Sequence, residues 1–88
     1  MSSSVTPTLY VKAGCPWCTQ ARQVLDAAKI SYQEVEVRSD ATAFARMREL
    51  SGQSSAPVMD WDGEILADFG AEELIPFLSK HGITVSSA

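Results

Sequence analysis

Eighty-eight residues, 45% of them hydrophobic and 20% charged, suffice for a single domain with one core and exclude a second; the composition is that of a folded chain and not of a disordered one. A net charge of −4 argues against nonspecific nucleic-acid binding, which depends on a basic patch. No apolar run reaches the ~20 residues that span a bilayer, and MSSSVTP lacks the basic and apolar regions of a secretory signal, so a cytoplasmic location with no membrane contact is expected.

Residues 1–88 are read as one domain with an ordered core over about 6–84, leaving the Ser-rich tips MSSS and SSA as flexible tails. Thr8 to Val11 (TLYV) is short, β-branched and aromatic, and predicts a buried strand ending at a turn on Gly14. Ala21, Val24, Leu25 and Ala28 fall on one face at helical spacing and predict a helix from about Pro16 to Lys29. Pro16 suits its first turn, where a missing amide hydrogen costs nothing.

Ile30 to Val37 alternates and predicts a second strand. A helix from about Ala41 to Leu50 follows, capped by Ser39 or Asp40, stopped by Gly52, and burying Phe44, Met47 and Leu50. VMDW and EILAD, joined by Asp62-Gly63, carry the strongest local signal in the chain, a hairpin with a two-residue type I′ turn. A last helix runs from about Ala71 to His81, with Leu74, Phe77 and Leu78 inward and Gly82 as its stop; Pro76 removes one of its hydrogen bonds unless the helix begins late. The order β α β α β β α predicts a mixed four-stranded sheet covered by three helices, an α/β fold.

Charge is segregated along the chain. Asp60, Asp62, Glu64, Asp68, Glu72 and Glu73 occupy a stretch without Lys or Arg, whereas Lys12, Arg22, Arg38, Arg46 and Arg48 precede it. Such a stretch is either a solvated acidic face or an electrostatic selector of partners.

Cys15 and Cys18, the two cysteines of the chain, admit three uses. As a crosslink they would close a loop too short to restrict the unfolded chain, in a compartment that does not favour disulfides. As metal ligands they lack two further soft partners: His81, in KHG at a helix end, suits a capping role, so no metal set exists within one chain. A cluster shared between two chains stays open.

As a redox dithiol, every residue of the stretch has a use. Cys15 as helix N-cap meets free amide hydrogens and the positive end of the dipole, with Lys12 three residues earlier, which favours its thiolate and makes it the nucleophile. Cys18, one turn further in, keeps its proton until it attacks the mixed disulfide as the resolving thiol. Pro16 stiffens the turn, and Trp17 is expected as an exposed aromatic wall beside the reactive sulfur.

CPWC after a strand and opening a helix, in this element order, resembles the glutaredoxin family, whose usual motif is CPYC. The likeness covers roughly Thr8 to Ile83. It implies a thioredoxin-like fold and a thiol-disulfide oxidoreductase, and places Ser55-Ala56-Pro57 where the family has Thr-Val-Pro with a cis proline. It also implies glutathione as co-substrate, with no tightly bound cofactor. The corresponding groove comprises Lys12 for the glycine carboxylate, Pro16 and Trp17 beside the sulfur, the Ala56 backbone and Pro57 for the tripeptide cysteine, and the helix start Gly70-Ala71-Glu72, where the amides of Ala71 and Glu72 face the γ-glutamyl carboxylate.

Two positions depart from the pattern. The family's second carboxylate anchor falls on Phe44, leaving Lys12 alone unless Arg46 or Arg48 reaches over, and Phe69 narrows the approach to the last helix. The implied function is reduction of protein disulfides or glutathione mixed disulfides by a monomer. The alternatives are an electron donor reduced by a thioredoxin-reductase type enzyme or another small thiol, and a dimer binding an iron-sulfur cluster through Cys15.

Overall fold

The computed structural model describes residues 6–83, so the Ser-rich tips lie outside the described residues. The elements follow the expected order: β1 (Thr8–Val11), α1 (Pro16–Ala27), β2 (Gln33–Glu36), α2 (Ala41–Ser51), β3 (Val58–Trp61), β4 (Glu64–Ala67) and α3 (Ala71–Lys80). The strands form one mixed sheet in the order β2-β1-β3-β4. β1 runs parallel to β2, with Tyr10 opposite Val35, and antiparallel to β3, with Leu9 opposite Met59.

Successive residues of a strand face opposite sides of the sheet. Leu9, Tyr10 and Val11 are nevertheless all buried, as are Val58 and Met59, so both faces of the two central strands are covered. α1 packs on α3, and α2 packs on β3 and β4. Leu9, Leu25, Met47, Met59, Leu74 and Leu78 are fully buried between these layers, and each such side chain contributes about 1.5–3 kcal/mol of transfer free energy. Of the expected inner face of α2, Met47 is buried, while Phe44 and Leu50 are half-buried against the core.

Several element ends differ from the sequence reading. α1 stops at Ala27 rather than near Lys29, because Lys29 turns left-handed (φ 57) and the chain closes on itself through Lys29 N–H to Asp26 O and Ile30 N–H to Leu25 O. Ile30 is consumed by that closure, which moves the start of β2 to Gln33. Asp40, not Ser39, caps α2: its Oδ1 accepts the Ala43 amide at 3.1 Å. α3 ends at Lys80 with His81 as its C-cap, and it runs through Pro76 instead of beginning after it. The lost bond belongs to the carbonyl of Glu72, an exposed residue that water can serve.

The hairpin is as expected. Asp62 and Gly63 both have positive φ (52 and 93), the requirement of a type I′ turn, and Asp60 Oδ1 accepts the Gly63 amide at 2.9 Å.

This topology gathers four segments. β1, β2 and β4 end, and antiparallel β3 begins, at one edge of the sheet. Lys12 to Cys15, Val37 to Arg38, Ser55 to Pro57 and Asp68 to Gly70 therefore emerge together.

Candidate active site

Cys15 is the N-cap of α1, in extended conformation (φ −88, ψ 115), and its Sγ accepts the Cys18 amide hydrogen at 3.2 Å. The sulfur thus sits on the unpaired amides of the first turn, and Pro16, as the first helical residue, withholds no donor the helix needs. Cys15 is half-buried, whereas Cys18 is 0% exposed. Burial first, and then the adjacent Cys15 thiol, push the Cys18 thiol up to about 12.

Across the groove, the Cys15 thiol points at the Ala56 carbonyl, 4.0 Å away. The Ala56–Pro57 peptide is cis, and both residues are buried. The preceding loop is braced by Gln53, whose side chain accepts from Ser55 N–H at 2.6 Å and donates to Ser55 O at 2.9 Å.

On one side of the sulfur lies a cleft of about 560 Å³ lined by Lys12, Val37, Arg38, Ala41 and Phe44. Lys12 Nζ donates to Ser54 O at 2.9 Å and lies 5.7 Å from the Phe44 ring centroid, with the Arg48 guanidinium 5.9 Å from the same ring. The aromatic face attracts both cations. The cleft wall is fixed by Glu36, whose carboxylate accepts from Ala13 N–H at 2.8 Å and from both Ser39 N–H and Ser39 Oγ at 2.9 Å. Desolvation works to raise this carboxyl, but those hydrogen bonds outweigh it and hold it below the ordinary carboxylate range.

On the other side, a pocket of about 450 Å³ is lined by Trp17, Gln20, Asp68, Phe69, Gly70, Ala71, Glu72 and Glu73. Trp17 is 53% exposed. Its ring lies against the start of α3 at Gly70, where a Cβ would come within 3.2 Å of Trp17 Cε3. Glycine is what lets the two helices approach there.

The family model of the glutaredoxins matches residues 8–66. The chain belongs to the glutaredoxin family. It is 33% identical over 72 residues, 82% of this chain and 96% of the relative, to an uncharacterized glutaredoxin-like 8.6 kDa protein in the rubredoxin operon of Clostridium pasteurianum. Among solved structures, a mutant of the thioredoxin-like protein BC3987 superposes with a TM-score of 0.75 at 30% identity, covering 83% of this chain and 99% of that one. A buckwheat glutaredoxin-glutathione complex shares the fold, with a TM-score of 0.66 at 18% identity, covering 92% and 83% of the two chains. Glutaredoxins are thiol-disulfide oxidoreductases, and this chain is one.

The glutaredoxin fold brings the segments that carry the sequence-predicted candidates to the same edge of the sheet, with Lys12 in the cationic cleft and Trp17, Gly70, Ala71 and Glu72 in the other pocket. Three details differ from expectation. The Lys12 ammonium is engaged by Ser54 O and the Phe44 ring, on the cleft side of the groove. The second cation lining that cleft is Arg38, from the loop after β2, not Arg46 or Arg48 of α2. Phe69 is 3% exposed and packs in the core while lining the pocket from beneath; the side chains nearest the start of α3 are Trp17, Gln20 and Glu73.

Sequence reasoning passed over Arg38, Glu36 and Gln20. The first two lie in and just after an edge strand whose alternation hid them as surface residues. Gln20 was visible as the residue one turn after Trp17, on the same face of α1. His81 caps α3 as expected, and its ring also stacks on Trp61 at 5.0 Å.

Proposed function

We propose that the chain reduces protein disulfides and glutathione mixed disulfides through Cys15 and Cys18, with glutathione as reductant. The observation that carries this reading is the placement of the Cys15 sulfur: at a helix N-terminus, facing the Ala56 carbonyl, with Lys12 of the cationic cleft three residues before it and Trp17 of the pocket at the start of α3 two residues after it.

The chemistry follows from the two environments. Cys15 Sγ, at the N-terminus of α1 where it accepts the Cys18 amide hydrogen, attacks one sulfur of the substrate disulfide. That bond breaks, a mixed disulfide forms on Cys15, and the departing thiolate takes a proton. Cys18, held as a thiol by its burial, gives up its proton as it attacks Cys15 Sγ, forming the Cys15–Cys18 disulfide and releasing the second substrate thiol. Two glutathione molecules then supply the two electrons, leaving as glutathione disulfide.

Lys12 and Arg38 form the seat for the tripeptide's glycine carboxylate, and the Ala56 backbone pairs with its cysteine. Trp17 and Pro16 flank the sulfur, and Pro57, Gly70, Ala71 and Glu72 complete the groove. A protein of this kind acts as a cytoplasmic monomer on disulfide-containing or glutathionylated proteins.

The testing experiment is a coupled assay of disulfide reduction with two electron sources: glutathione with its reductase, and thioredoxin reductase with NADPH. Turnover with glutathione supports the reading. Turnover with thioredoxin reductase alone would replace glutathione with an enzymatic donor while keeping the dithiol chemistry.

A further inference from the structure

We infer that Gln20 is a specificity-determining residue that weakens the use of glutathione by occupying the α3 amide a γ-glutamyl carboxylate needs. The inference rests on the glutathione reading above.

The amides at the start of α3 are already engaged by the chain itself. Gln20 Oε1 accepts the Ala71 amide hydrogen at 3.2 Å, and Glu73 Oε1 accepts that of Gly70 at 2.7 Å. Glu73 N–H is turned back to Gly70 O at 3.2 Å. Of the two donors that face a γ-glutamyl carboxylate, those of Ala71 and Glu72, one is therefore taken.

The contact is built by packing. Gln20 is one turn after Trp17 on α1 and shares its face, which lies against α3. Gly70 leaves room for both: a Cβ there would stand 3.3 Å from Gln20 Oε1 as well as 3.2 Å from the Trp17 ring. The orientation of the Gln20 amide is fixed by chemistry, since only its oxygen can accept from an N–H.

A carboxylate arriving at Ala71 N–H meets that amide oxygen, acceptor against acceptor. It binds only after Gln20 swings out and its hydrogen bond is lost, and Asp68, Glu72 and Glu73 around the pocket add like charge. A protein disulfide with no free carboxylate at that place does not displace Gln20. The residue thus discriminates between two substrates of the same sulfur, to the disadvantage of the anionic tripeptide.

The test is steady-state reduction of one mixed-disulfide substrate by the full chain and two variants, driven either by glutathione or by dithiothreitol, with melting temperatures measured in parallel. Gln20→Ala is expected to lower the KM for glutathione roughly three- to ten-fold, the range of one net hydrogen bond, and to raise the ratio of glutathione-driven to dithiothreitol-driven turnover. Gln20→Glu keeps the acceptor and adds a charge; it is expected to raise that KM, with the increase reduced by added salt. A wild-type chain that turns over with glutathione, but whose KM is unchanged or raised in Gln20→Ala, overturns the role of Gln20 and leaves it a tie between α1 and α3, which a change in melting temperature alone would register. If wild type and variants all accept dithiothreitol and ignore glutathione, the glutathione reading fails, and this inference fails with it.

Discussion

The amide of Cys18 donates to the sulfur of Cys15 at 3.2 Å, while the thiol of Cys18 itself is fully buried. One residue thus helps to stabilise a neighbouring sulfur through its backbone and withholds its own through burial. Alkylation of the reduced protein should accordingly label Cys15 first, with peptide mapping as the readout. In Cys15→Ser, the remaining Cys18 should react slowly, and its rate should still be rising at pH 10. Burial, the largest cause that raises this thiol, remains when the Cys15 side chain is replaced. A plateau near pH 9 would show that burial does not control it.

Cys18→Ser separates the two uses of the site. Reduction of a glutathione mixed disulfide needs only the attacking sulfur and an external thiol, so it should persist. Reduction of a protein disulfide through the dithiol route should fall by at least an order of magnitude, because no second thiol remains in the chain to release the client. Equal loss of both activities would show that Cys18 serves the attack step as well.

The cationic cleft yields a test of Lys12, Arg38 and Phe44 together. Lys12→Ala and Arg38→Ala should each raise the KM for glutathione several-fold, since an exposed charge-assisted contact contributes on the order of 1 kcal/mol, and added salt should mimic them. Phe44→Arg inserts a third cation beside Lys12 and Arg48, whose charges already lie within 6 Å of the ring it removes. It also strips apolar contact from the core, so its melting temperature should fall with no gain in glutathione affinity. A lowered KM in this variant would show that the arginine reaches the carboxylate after all.

Acid should destabilise the fold through two carboxylates. Glu36, by its hydrogen bonds from Ala13 and Ser39 against the opposing effect of desolvation, and Glu64, by its hydrogen bond from Lys80 together with the nearby His81, are both held below the usual range. A depressed folded-state value means the contribution is present above the unfolded carboxylate range, near 4.5 for both, and is lost as pH falls through the folded value. Melting temperatures should therefore decline from pH 5 to pH 3, and Glu36→Gln should flatten part of that decline. An unchanged profile in Glu36→Gln would remove Glu36 from the account.

The strands, helices and cysteine pair were legible because their signals are local. Period-two and helical spacing, Asp62-Gly63 and CPWC each act over a few residues. The end of α1 was misplaced because Lys29 takes a left-handed conformation that glycine or asparagine usually signals. Arg38, Glu36 and Gln20 escaped notice because their partners, across the cleft or on another helix, are as much as 51 residues away in sequence. Such pairings depend on which strands are neighbours, which the chain order allows but does not specify.

The most direct test of the account is to incubate Cys18→Ser with glutathione disulfide and map the adduct by mass spectrometry. The account predicts one glutathionyl group, on Cys15, removable by reduced glutathione. A chain that remains unmodified while its Cys15 is fully reduced would contradict the assignment of Cys15 as the sulfur that exchanges with glutathione.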